Sequence, residues 1–568
     1  MYKLSKTLLP VVIKSCCVKR IVISTFGCYH NKAMLNIEHD ESLEKLPDAQ
    51  KIIPNKSTDV CIGSNLRSIV HFPKIPLEAL QYPWLADARR ILKETFKKSD
   101  FLPLQLEAIT TIMEGKDCLI IKSTGGGKSL CYQLPALLKN GYCIVISPLL
   151  SLMNDQIIKL NDLGIPSIAL NSLLPRDEYK NVLDDLENQI MNYKIIYITP
   201  EQYAYGRRLK KLIKMNSKDG MLSFIAIDEI HCLKDWGETY RGTYKALRNL
   251  RNRVKCPVVG LTATANNEHI EYFKKNLIFK KPVVLKSTVI RNNLFYQRIW
   301  KEKDSSLQVY EIIKSRFFNQ TGIVYCLSIK ESEKLGEYLR VNGISATFYH
   351  GKLDRDKRNQ ILQDWLDEKI KVIVSTSAFG MGVDKGNVRF VIHHAMPSRI
   401  VDFVQETGRA GRDGLPSTCL TLFNIYDATR RIKLNINKPD ILEDIHQMVK
   451  LLNSNNCKRR AIATSFDETF DEEECRKECE SCNCSIDDIH GGSKKLLNKI
   501  LDDSKEILKN PNENITQKKL TKALWKMRRH WTKDEIDMFL TSLIMEKKLT
   551  FKVNKNAESR QAYISIPR

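Results

Sequence analysis

CLIIKSTGGGKSLCYQLPALL, residues 118–138, decides how the rest of the chain is read. It opens on a short apolar run that suits a buried strand and closes on an apolar, helix-spaced stretch. Between them stand Ser123, Thr124, three glycines (Gly125, Gly126, Gly127), Lys128 and Ser129. A glycine loop between a strand and a helix lets backbone N–H groups close on phosphate oxygens. Lys128 then supplies charge to the outer phosphates, and the Ser129 hydroxyl is a ligand for Mg²⁺. Lys122 stands where the general pattern has its first glycine, and the glycine triplet compensates.

Working outward, more short apolar runs alternate with helical stretches. YCIVIS (142–147), KIIYIT (194–199), FIAID (224–228) and VVGLTAT (258–264) join the first run as one series. GIVYCL (322–327), ATFYH (346–350), KVIVST (371–376), RFVIHH (389–394) and CLTLF (419–423) form a second. Continuous apolar strands alternating with helices predict doubly wound α/β architecture with parallel sheets. Two series predict two tandem domains, 78–285 and 286–430. Residues 1–77 read as tail and linker, 431–490 as a helical Cys-bearing module, and 491–568 as a last unit ending in a strand pair.

Asp228 and Glu229 end one strand of the first series. Carboxyl ends of parallel strands line the ligand crevice, so this pair is expected to face the glycine loop. Asp228 then holds Mg²⁺, through water, and Glu229 orients or deprotonates the attacking water. The second series carries no glycine loop but has QETGRAGRDG (405–414). Its Arg409 and Arg412, offered across a cleft, stabilise charge on a γ-phosphate. A site shared by two lobes turns hydrolysis into opening and closing, which suits a motor.

Composition agrees. Lys and Arg number 90 against 66 Asp and Glu, a net charge of +24, which points to a polyanionic partner such as nucleic acid. No apolar run approaches the ~18–20 residues of a membrane span. Residues 1–37 hold six Lys or Arg and no acid, a pattern of mitochondrial presequences that a plain tail also satisfies.

With these motifs the chain resembles a RecQ-type DNA helicase of superfamily 2. The resemblance runs from about residue 78 to the end, through FLPLQLEAI (101–109), ISPLLSLMNDQ (146–156), TPE (199–201), DEIH (228–231), LTATA (261–265), YHGKLDRDKR (349–358) and STSAFGMGVDK (375–385). It implies two RecA-like lobes, a zinc module and a winged helix, with ATP and Mg²⁺ driving 3′–5′ unwinding of DNA in the nucleus. It implies that Gln105 reads adenine, that Asp384 joins the nucleotide site, and that His231 and Thr264 couple hydrolysis to movement. Thr199, Ser328 and Thr376 contact phosphates of a single strand. Trp236, Tyr240 and Arg241 lie in an aromatic-rich loop that senses DNA, where base stacking is worth ~1–3 kcal/mol. Single-stranded and branched DNA, and proteins of DNA repair, are the implied partners. The loop departs from the family at Asp235, Glu238, Thr239 and Gly242, and two added acids repel a phosphate track. A DNA-stimulated ATPase that binds or anneals DNA but unwinds weakly is therefore the alternative reading.

Five of the sixteen cysteines fall within residues 457–484. A thiolate site for Zn²⁺ takes four, and Cys479-x-x-Cys482 has knuckle spacing. Cys475 lies four residues before Cys479 and Cys457 precedes both. With the resemblance, these four are the zinc ligands and Cys484 is spare; disulfides are the competing reading. The basic run ITQKKLTKALWKMRRHWTK (515–533) suits a duplex-gripping winged helix. Its wing tip, Asn556 to Ser559, has no aromatic wedge; the nearest aromatic is Tyr563.

Overall fold

The computed structural model describes residues 82–567, apart from 124, 233–240, 249, 278, 378, 380–382, 384, 436, 439, 455, 472–474, 476–478, 484–492, 510–514, 528–531 and 554–561. Two parallel sheets dominate it, as the alternating apolar runs require.

The first sheet contains β1 (Cys118–Ile121), β2 (Tyr142–Ile146), β3 (Ser167–Leu170), β4 (Ile195–Ile198), β5 (Leu222–Ile227), β6 (Val258–Thr262) and β7 (Val283–Lys286). Their order is β3-β4-β2-β5-β6-β1-β7, every pair parallel. The order brings the carboxyl ends of β5, β6 and β1 side by side, so Asp228, Thr264 and the glycine loop share one rim. Asp117 fixes this corner from below. Its buried carboxylate accepts from Arg251 Nε at 2.8 Å, Val258 N at 3.0 Å and Lys280 N at 2.7 Å.

The second sheet contains β8 (Leu294–Trp300), β9 (Gly322–Tyr325), β10 (Ala346–Tyr349), β11 (Val372–Ser375), β12 (Phe390–His393) and β13 (Ser417–Phe423). Their order is β10-β11-β9-β12-β13-β8, again all parallel. All ten expected strands in the two series are present. β3, β7 and β8, which the apolar runs did not mark, are all edge strands.

Beyond the second sheet lie helices Ile425–Leu434 and Ile441–Asn453, then a short helix Lys458–Ser465. The last unit has helices Ser493–Ile507, Gln517–Met527 and Lys533–Met545 and an antiparallel pair, β14 (Thr550–Val553) and β15 (Ala562–Ser565). Thr532 and Glu535 close a reciprocal capping box at the start of Lys533–Met545. Leu520, Leu524, Ile536, Leu540 and Ile564 belong to the same buried cluster as Ile425, Ile432 and Ile445. The C-terminal unit therefore shares a core with the second lobe. Lys518, Lys519, Lys522 and Lys526 stand on the exposed side of Gln517–Met527. Tyr563 is buried in β15; the wing tip lies outside the described residues.

Gly322 opens the central strand β9, and a Cβ there would lie 2.1 Å from the Phe390 ring. That ring stacks on Phe317 with centroids 4.6 Å apart, so it has no room to retreat. Gly322→Ala is expected to destabilise the chain by ~1–3 kcal/mol through overpacking, read as a lowered urea midpoint.

Candidate active site

The glycine loop is built by backbone conformations that need its glycines. Gly125 and Gly127 have φ of +78° and +76°. A Cβ on Gly127 would come within 2.4 Å of Gln105 Nε2. Gln105, buried at the start of helix Gln105–Met113, donates to Gly127 O at 2.9 Å and accepts from Leu102 N at 2.8 Å. Lys128 Nζ donates to Lys122 O at 3.1 Å. Lys122 is buried, donates to Pro103 O, and has its pKa lowered by burial. The residue that replaces the usual glycine thus braces the loop against the Gln105 segment. Thr124 lies outside the described residues.

Asp228 follows β5, 8% exposed, with its Oδ1 accepting from Glu229 N at 2.9 Å. Burial, then the neighbouring charge of Glu229, pushes its carboxyl up to about 7, and Lys128 opposes the shift. Such a carboxylate is matched to a cation. Glu229 has φ of +48°, a left-handed backbone that a non-glycine residue holds only where its surroundings enforce it. That turn aims its carboxylate back along the rim. Glu229 Oε2 lies 3.3 Å from His231 Nδ1, and His231 Nδ1 lies 3.2 Å from Thr262 Oγ1.

The second lobe reaches this rim through helix Ile400–Thr407 and the turn after it. Gln405 Nε2 sits 3.4 Å from His231 Nε2 and 3.5 Å from Thr264 Oγ1. Arg412 leans on the glycine loop: a Cβ on Gly125 would lie 3.0 Å from its Cγ and 3.2 Å from its Cδ. Arg412 Nη1 donates to Val383 O at 2.6 Å. The two arginines are not equivalent. Arg409 is 9% exposed and turned inward to the Tyr325 hydroxyl, while Arg412 alone stands against the loop. Asp384 lies outside the described residues.

Thr199 and Ser328 occupy matching positions, after β4 and β9. Each caps the next helix, accepting from Gln202 N at 3.2 Å and from Glu331 N at 3.3 Å. Both therefore mark helix N-termini, which favour phosphate. Thr376 follows β11, half-buried. Trp236 and Tyr240 lie outside the described residues. Arg241 begins helix Arg241–Arg248.

Cys457, Cys475, Cys479 and Cys482 converge, with sulfurs all within 4.8 Å of one another. Cys457 Sγ and Cys479 Sγ are 3.8 Å apart. A tetrahedral ion with bonds of ~2.3 Å sets its sulfurs ~3.8 Å apart, so the set fits Zn²⁺ and is too open for a disulfide. Arg459, fully buried, ties this cluster to the lobe junction. It donates to Cys475 O at 3.3 Å, Asn292 O at 2.8 Å and Leu294 O at 3.0 Å. Tyr296 of β8 bridges to Cys479, and Arg298 N donates to Glu480 Oε2 at 2.8 Å.

Three family models match in succession: a DEAD/DEAH box helicase over residues 102–273, a helicase conserved C-terminal domain over 305–414, and a RecQ zinc-binding model over 428–483. The chain is similar to a putative ATP-dependent DNA helicase Q1 of Caenorhabditis elegans, 36% identical over 500 residues that span 85% of this chain and 79% of that protein. The chain belongs to the RecQ family. It is similar too to the ATP-dependent DNA helicase Q1 of Rattus norvegicus, 35% identical, across 78% of this chain and 72% of that protein. Among solved structures, a DUF1998 helicase MrfA bound to DNA matches with a TM-score of 0.50 at 17% identity, covering 68% of this chain and 59% of that one. That likeness speaks to the fold alone.

This RecQ chain is accordingly an ATP-dependent DNA helicase that uses ATP and Mg²⁺, with structural Zn²⁺ on the four cysteines. Gln405 stands in the QETGRAGRDG motif with no role expected of it there, and nothing was expected of Arg459. Arg459 shares the buried face of helix Lys458–Ser465 with Lys458, Ile462 and Ala463.

Two outcomes follow for this RecQ helicase. Between pH ~4 and about 7 the folded chain keeps a proton on Asp228 that the unfolded chain releases, so stability from this group falls as pH rises through that window. Asp228→Asn removes that slope: at pH 8 the nucleotide-free variant melts about 2–4 °C higher by thermal denaturation, yet hydrolyses no ATP. Structural zinc contributes ~10–16 kcal/mol of apparent binding energy. Cys479→Ser is expected to give insoluble or unfolded protein; soluble, active and zinc-free material by metal analysis would refute the four-sulfur site.

Proposed function

We propose that this RecQ helicase moves 3′ to 5′ along a single strand and unwinds branched or tailed DNA during repair, recombination or replication, in the nucleus. The observation that carries this reading is the contact of Arg412 with the glycine loop, beside the bridge from Gln405 to His231 and Thr264. One lobe's arginine lies on the other lobe's phosphate loop, and the same lobe grips the residues next to Glu229.

Gln105 reads the adenine once it leaves Gly127 O. Thr124, Gly125, Gly126, Gly127, Lys128 and Ser129 hold the phosphates. Asp228 and Ser129 hold Mg²⁺, which when bound neutralises charge on the phosphates. Glu229 accepts the proton of the attacking water. Arg412 stabilises the γ-phosphate charge; Arg409, from its buried place, sets the turn that carries Arg412, and Asp384 joins from the same lobe. Loss of that charge loosens the Arg412 contact, and Gln405 passes the change through His231 and Thr264. Thr199, Ser328 and Thr376 hold successive phosphates of the strand, so a shift between lobes becomes a shift along DNA. Trp236, Tyr240 and Arg241 report whether a strand is present. Proteins of DNA repair are its expected partners.

The acids Asp235 and Glu238 favour a second reading, a DNA-stimulated ATPase that binds or anneals strands and unwinds weakly. ATP hydrolysis with and without single-stranded DNA, beside unwinding of a 3′-tailed duplex, decides between them. Stimulation with unwinding supports the first, stimulation alone the second, and no stimulation refutes both. Lys128→Ala abolishes hydrolysis in either case. Arg412→Ala lowers kcat about a thousandfold, while Arg409→Ala costs stability as well as rate.

A further inference from the structure

Helix Arg207–Lys218, between the Thr199 rim and β5, carries more charge than the site described above uses. Leu209, Leu212, Ile213, Asn216 and Ser217 are its buried face. Arg207, Lys211, Lys214 and Lys218 recur at steps of four, three and four, and so form one stripe on the opposite, exposed face. Arg208 turns aside to Asp184 and Glu187 of the neighbouring helix and takes up those acids. Among the described residues, no carboxylate pairs with the four stripe residues. An uncompensated row about 16 Å long is thereby held rigid.

Both ends of the row meet further features. At its head stands Tyr205, 72% exposed, closing the short helix Pro200–Tyr205 that Thr199 caps. At its foot, Lys218 enters an open basin of about 380 Å³ that Lys139 and Lys255 also line. Because the helix runs antiparallel to the strands it joins, the row descends from the DNA-facing rim to the opposite edge of the first sheet. An exposed aromatic followed by a line of free cations is the combination that holds single-stranded nucleic acid, by stacking and by backbone charge.

We propose that this face is an extension of the single-strand track: the strand held at Thr199 continues over Tyr205 and down the Arg207–Lys218 row toward the basin. The proposal rests on Thr199 as a strand contact and lengthens that site. The row's charge and its continuity with the rim select the tracked strand; a separate duplex arm is the competing occupant.

The test uses the full chain and oligothymidylates of about 10 and about 30 nucleotides, with affinity measured by fluorescence anisotropy over a salt series. Wild type is expected to bind the longer one more tightly. Lys211→Glu/Lys214→Glu/Lys218→Glu is expected to keep short-oligonucleotide affinity and stimulated ATPase, to lose tenfold or more on the long one, and to lower the salt slope by about 2. Tyr205→Ala is expected to weaken long-oligonucleotide binding several-fold with the salt slope unchanged. Wild-type length dependence and slope in the charge variant would overturn the proposal. So would a loss confined to blunt duplex, which assigns the face to a duplex arm. A wild-type chain that the short oligonucleotide fails to stimulate would instead overturn the reading of Thr199.

Discussion

The contact of Arg412 with Gly125 organises this molecule. A phosphate loop needs bare backbone, and bare backbone leaves room for another chain segment. The Arg412 stem fills that room from the opposite lobe. In the proposed mechanism neither lobe holds a complete nucleotide site, so each depends on the position of the other. Parallel sheets make the arrangement possible, because both lobes gather their loops at the carboxyl ends of their strands.

The rim is also electrostatically prepared. Asp228 is buried, crowded by Glu229 and partly relieved by Lys128, so the folded chain bears a carboxylate that favours a cation or a proton. Glu229 sits in a left-handed conformation in the same turn. These are costs to the fold, and both fall on the acid pair that the proposed chemistry uses. Glu229 meets His231, and Gln405 meets both His231 and Thr264, so a few side chains join the acid pair to the opposite lobe.

Much of this was legible because buried parallel strands leave continuous apolar runs. CLIIK and KVIVST could be read directly, and the glycine loop and acid pair stand at strand ends. The strands that escaped, SIAL, VVLK and LFYQRIW, are sheet edges. They are short, or alternate in burial, or carry polar residues that a central strand excludes. Spacing marked Cys479 and Cys482 as a metal knuckle, and the family resemblance completed the set with Cys457 and Cys475. Gln405 and Arg459 were not readable as linkers, because their partners lie 141–174 and 16–167 residues away. Periodicity carries no record of contacts made at such range. The inequality of Arg409 and Arg412 is likewise tertiary: spacing of three allows one face, and the turn after Thr407 sends them apart.

Arg459 has a mechanical consequence. By gripping Asn292 O and Leu294 O, it welds the end of the interlobe connection to the zinc module, and the shared core extends that weld to the C-terminal unit. The span between Lys286 and Asn292 is clamped as well: Lys286 donates to Phe466 O, and Glu468 accepts from Thr288 Oγ1 at 2.8 Å and from Val289 N at 3.0 Å. Asp467 carries the fastening back to the first lobe, accepting from Asn267 N at 2.7 Å. Any turn of one lobe against the other at this place has to release the Phe466–Glu468 contacts first, so the segment is a latch and not an axle.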